Sequence, residues 1–143
     1  MPTHAEIRRL PHSPDDLFDL VADIERYPEF LPWCVGLRIK SRTENVLTAD
    51  MMIGFKVFRE KFTTRVTLQR PNRIDVEYLN GPFKYLNNHW LFLPTENGTC
   101  DIDFFVDFEF RSRVLKAAIG TVFNEAVQKM IDAFEKRAMA LYG

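Results

Sequence analysis

The chain is poor in most of what would commit it to a specialised class. Two cysteines, Cys34 and Cys100, stand far apart with no CxxC spacing. Without a secretory signal they read as reduced thiols, not as a disulfide framework. The start, MPTHAEIRRL, has neither the apolar centre of a signal peptide nor an Arg/Ser-rich presequence. The expectation is therefore a complete, compact, cytoplasmic protein. No apolar run approaches the ~18 residues of a membrane span. Charge is nearly absent in sum: 19 basic against 20 acidic residues give −1, so no global field recruits DNA or an anionic membrane. The three histidines, His4, His12 and His89, enter no Ser/His/Asp or Cys/His spacing. There is no HExxH, no paired-cysteine motif and no phosphate-cradling glycine loop. No catalytic residue, metal or cofactor is expected, and the chain does not read as an enzyme.

What is present is phenylalanine. Thirteen of them stand out from an otherwise ordinary 46% hydrophobic and 27% charged composition. The length of 143 residues fits one domain over residues 1–143, with no repeat, linker or low-complexity tract. Residues 4–10 read as a short strand. Ser13, Pro14 and Asp16 then mark a helix start as cap, first-turn proline and capping-box acid. That helix should run through LFDLVADI and stop before Tyr27-Pro28, because a residue preceding proline is pushed out of the helical region. EFLPW adds at most one more turn.

From Val35 to Phe110 the period is two, in six strands separated by Asn/Gly/Pro turns. Val35, Leu37 and Ile39 oppose Arg38, Lys40 and Arg42. A turn at Gly54-Phe55-Lys56 leads to Phe58, Phe62, Val66 and Leu68, opposed by Arg59, Lys61 and Arg65. Leu86, Asn88, Trp90 and Phe92 share a face, as do Cys100, Ile102, Phe104, Val106, Phe108 and Phe110. Such strands form an antiparallel meander with one wet face. Ser112 to Leu141 is a long helix with an apolar stripe through Leu115, Ile119, Val122, Phe123, Ala126, Val127, Met130 and Phe134. At 1.5 Å per residue it would be about 45 Å long. One helix cannot fill the whole concavity of seven strands, so a pocket between helix and sheet is expected. Gly120, costly in mid-helix, points to close approach by a neighbour or a ligand.

This order of elements resembles the helix-grip fold of the START-like, pollen-allergen-like (SRPBCC) superfamily. YPEFLPWC, IGFKVFREKFTTRV, GPFKYLNNHWLF and FEFRSRVL…IGTVF are similar to segments of its coenzyme Q-binding branch, the polyketide cyclase/dehydrase family. The resemblance implies an α+β fold, a seven-stranded antiparallel sheet curved around the C-terminal helix, with two short helices after the first strand. It implies a polyprenyl quinone such as ubiquinone, or another long apolar lipid, bound as ligand and not as a redox cofactor, in support of respiratory electron transfer. Peripheral contact with the inner face of the cytoplasmic membrane follows from such a ligand. A second role attached to bacterial relatives is a ribosome-association toxin that blocks subunit joining on the large ribosomal subunit. A small cyclase or dehydrase is a third.

The ligand would be lined by Phe30, Trp33, Met51, Ile53, Phe62, Trp90, Phe92 and the first half of the last helix, namely Val114, Leu115, Ile119, Val122 and Phe123. YPEFLPWC then supplies either a pocket wall or a plain core plug. Asn88 shares the inward phase and would satisfy backbone groups or bond a quinone carbonyl. Phe55, in a tight turn, would touch an isoprenoid tail or a membrane, or pack on Trp33 or the last helix. Arg38, Lys40, Arg59, Lys61 and Arg65 are a ribosome-binding surface in the second reading and a solvated, cross-paired sheet face in the plain one.

Overall fold

Strand-period segments become β1 (Thr3–Leu10), β2 (Cys34–Arg42), β3 (Val46–Phe55), β4 (Phe58–Gln69), β5 (Arg73–Asn80), β6 (Phe83–Pro94) and β7 (Cys100–Phe110). They form one antiparallel sheet in the order β1-β7-β6-β5-β4-β3-β2, in a computed structural model. It describes residues 3–55 and 58–143, apart from the side chains of residues 55, 58 and 121. Between β1 and β2 lie α1 (Pro14–Ala22), a 3-10 turn (Ile24–Arg26) and α2 (Tyr27–Phe30); α3 (Arg113–Tyr142) closes the chain. This is the α+β helix-grip arrangement.

Both caps form. Ser13 Oγ accepts the Asp16 N–H at 3.1 Å, and Ser112 Oγ accepts the Leu115 N–H at 3.3 Å. The first helix ends sooner than expected, at Ala22, and Tyr27 is helical (φ −53°, ψ −41°) despite preceding Pro28. Tertiary packing overrides the local preference there. The Tyr27 ring is buried edge-on against Phe134 at 5.5 Å, and its hydroxyl donates to the Val21 carbonyl near the end of α1.

Bulges shift the pleat at four places: Val35 and Lys40 in β2, Leu79 in β5 and Lys84 in β6. Each adds a residue on one strand and increases bend and twist. Three of them also correct an expected phase. Val35 faces outward, 48% exposed, and Cys34 takes the buried position instead. Arg42 leaves the row of Arg38 and Lys40, lies opposite the buried Leu47 and pairs with Glu25. Phe83 turns inward opposite Phe110.

Two hydrophobic clusters hold sheet and helices together. The larger joins Leu17 and Phe18 of α1, Ile74, Phe92 and Cys100 of the sheet, and Val127, Met130, Ile131, Phe134 and Ala138 of α3. The smaller is built on Phe83, Phe108 and Phe110, with Leu115, Ala118, Ile119, Val122 and Phe123 against it. Two glycines contrast. Gly81 has φ +148° and passes so close to β4 that a Cβ would fall 2.5 Å from the Phe62 Cβ. Gly120 marks no close approach: a Cβ there would meet nothing within 4 Å.

Candidate functional site

Between the two clusters, under α3, the sheet floor leaves a cavity of about 230 Å³. Of the side chains expected to line it, Trp33, Met51, Ile53, Phe62, Asn88, Trp90, Ile119 and Phe123 do so. Others lie elsewhere. Phe92 is fully buried below it, edge-on to Phe18 at 5.6 Å. Phe30 packs on Phe134 at 5.3 Å under the Arg137 guanidinium. Leu115 and Val122 sit on the smaller cluster, and Val114, 77% exposed, faces away from the sheet. Helical phase places Val114 one residue off the stripe that Leu115 begins. Phe55 ends β3 opposite Phe58 and is not itself in the turn as expected; residues 56–57 and the Phe55 side chain lie outside the described residues.

Within YPEFLPWC the roles divide. Leu31 and Tyr27 are buried core that also borders the cavity, Phe30 braces α2 against α3, and half-buried Trp33 stands in the cavity wall. The Trp33 carbonyl accepts the Gly54 N–H at 2.8 Å, which ties this wall to β3. Cys34 is a packing residue; burial pushes its thiol up to about 11, so it stays protonated and unreactive.

The lining is apolar except for Tyr27, Thr64 and Asn88. Burial raises the Tyr27 hydroxyl far above its ordinary value. Asn88 Nδ2 donates to the Phe105 carbonyl at 2.8 Å. Thr64 and Phe83 were beyond reach of periodicity as site residues. Thr64 is the polar member of an apolar row, and Phe83 is in phase only through the Lys84 bulge.

The inward side of β1 is polar, which its sequence did not signal. His4 Nε2 lies 2.9 Å from Glu6, and Arg8 Nε donates to Glu6 at 2.7 Å while its other nitrogen reaches Glu135 of α3. Burial pushes the Glu6 carboxyl up, but the hydrogen bonds from His4 and Arg8 outweigh it and hold it below the usual range. A crevice of about 40 Å³ lies beside these groups, behind Trp90 and Phe104.

On the convex face, Arg65 is paired with Glu77 at 2.7 Å. Arg38, Lys40, Arg59 and Lys61 are exposed and, among the described residues, in no ion pair. Exposed Val35 and Met52 lie among them. No helix among the described residues is long and apolar enough to cross a membrane.

Residues 10–135 match the family described as polyketide cyclase / dehydrase and lipid transport. The chain belongs to this family. Among its relatives, the ribosome association toxin RatA of Rickettsia prowazekii is 42% identical over 133 residues, covering 90% of each chain. The mitochondrial coenzyme Q-binding protein COQ10 homolog B of Xenopus laevis is 31% identical over 98% of this chain and 59% of its own. An 18 kDa protein of Caulobacter crescentus, solved in solution, superposes with a TM-score of 0.81 at 40% identity, covering 100% of this chain and 99% of that one.

Proposed function

We propose that this family member binds an apolar ligand without chemistry, and that the ligand is a polyprenyl quinone. The observation that carries the reading is the cavity itself: apolar, roofed by α3, with Tyr27 the one titratable side chain among its described lining residues. The Tyr27 proton is engaged by the Val21 carbonyl and burial holds it far above its ordinary value, which leaves the cavity poorly equipped for acid–base chemistry. At about 230 Å³ the cavity falls just short of the ~300–1,000 Å³ of typical ligand sites. It suits a quinone ring and the start of its tail, the rest leaving past half-buried Trp33, Ile53, Phe62 and Ile119. The likeness to a coenzyme Q-binding protein supports the same choice. Lipid extraction of purified protein followed by mass spectrometry tests it. The expected result is a co-purifying quinone; none, together with no quinone-induced rise in Tm, rejects the reading.

A second reading rests on a separate surface. Four exposed cations on β2 and β4, in no ion pair among the described residues, offer phosphate contacts to ribosomal RNA, in line with relatives named ribosome association toxins. Salt-dependent co-sedimentation with the large ribosomal subunit should be lost in Arg59→Glu with Lys61→Glu. It should persist in Arg65→Glu, because Glu77 already neutralises Arg65. Equal loss in both would reject the assignment of this surface.

A further inference from the structure

The cavity floor carries two polar side chains that packing does not explain. Thr64 is 5% exposed and sits on β4 between Phe62 and Val66, where valine would have the same shape. Its side chain opens into the cavity, and its hydroxyl makes no hydrogen bond among the described residues. The oxygen is not sealed among packed atoms but faces the open cavity, so its hydrogen-bond partner, water or ligand, comes from there. Asn88, on β6, is half used. The Phe105 carbonyl can only accept, which fixes the amide with Nδ2 toward β7. Oδ1 and the second N–H remain for the cavity.

Register places these groups. Asn88 lies opposite Val76, Val76 opposite Val66, and Thr64 two residues further along β4. Two strand spacings and two residues of rise separate their Cα atoms by roughly 12 Å. A six-membered ring with oxygens at opposite corners is about 5 Å across, from oxygen to oxygen. A hydrogen bond of about 2.8 Å at each end extends that to about 11 Å. Val76 lies between the two anchors, an apolar floor for the face of the ring.

We propose that Thr64 and Asn88 are the two ends of a clamp for a ring bearing oxygens in para positions. The clamp rests on the quinone reading and specifies where and how the ring is held. A hydroxyl donates or accepts, and so does the free edge of the Asn88 amide. Dione and diol forms are therefore both accommodated, and binding does not favour one redox state.

The test uses quenching of Trp33 and Trp90, both in the cavity wall, by a decyl-tailed para-benzoquinone. Dye displacement by decylbenzene, which has the same tail and no oxygens, is the companion measurement. Thr64→Val should weaken the quinone about five- to tenfold and leave decylbenzene within about twofold, with Tm kept or raised. Thr64→Ser should restore quinone binding. If wild type binds the quinone and Thr64→Val binds it equally well, the clamp is wrong and the quinone reading stands. Equal weakening of both probes would reduce Thr64 to a packing role and also overturn the clamp. No saturable quenching of wild type would remove the quinone reading and the clamp together.

Discussion

The two halves of α3 carry the same apolar spacing and meet different surroundings. From Val127 to Ala138 the stripe is buried in the larger cluster, against α1, α2 and the middle of the sheet, with Val127, Met130 and Phe134 also bordering the cavity. From Leu115 to Phe123 it is half-buried on the smaller cluster and roofs the cavity. One end of the helix is buried wall; the other is half-buried roof. Binding regions are drawn from the low-stability end of a structure, because ligand entry needs local opening that leaves the rest folded.

The contrast can be broken most decisively by truncation. Phe92→Ala should cost about 3–5 kcal/mol in urea unfolding, since the ring is fully buried against Phe18 and Trp90. Phe123→Ala should cost less than half of that, because its ring already borders empty space. Equal costs would mean that the roof over the cavity is packed as tightly as the larger cluster. Filling the void sharpens the contrast from the other side. Ala126→Leu should add about 0.5–2 kcal/mol of stability while abolishing quinone binding. A more stable variant with undiminished binding would place the ligand elsewhere.

Smaller effects follow. Gly120→Ala should stabilise by about 0.5–1 kcal/mol, having no neighbour to strike. On quinone binding, hydrogen exchange should slow more over residues 113–123 than over 127–138; a uniform change would argue against separate halves. The last effect concerns acid. Glu6 and Asp101 both titrate below their ordinary values, Glu6 through His4 and Arg8 and Asp101 through Arg9. The stability they add is therefore present above the ordinary carboxylate range and is lost as pH falls through their lowered folded values. Exchange of β1 amides should accelerate there, and Glu6→Gln should flatten that response. An unchanged pH response in the variant would assign it to other groups.

Much of the fold was legible because it is written in local periods. Period two laid out every strand from β2 to β7, and the 3.6 period laid out α3 to within a residue or two. What escaped depends on partners distant in the chain. A bulge exists only relative to the strand beside it, so no window around Val35 or Phe83 discloses that the pleat slips there. The inward side of β1 escaped for the same reason: His4, Glu6 and Arg8 carry no apolar signature, and pairing with β7 alone turns them toward Glu135. Within the cavity, the apolar rows were visible but depth was not. Periodicity cannot tell Phe92, below the floor, from Trp90, which lines it.

The Lys84 bulge has one further consequence, for changes in chain length. Phe83 pairs with Phe110 and Tyr85 with Glu109, so Lys84 is the surplus residue between two correctly facing neighbours. Excising Lys84 would leave Phe83 inward and Tyr85 outward, and would only relax the bend between them. Insertions and deletions at such points let a lineage reshape the chamber, deeper or flatter, without rewriting any side chain in its walls.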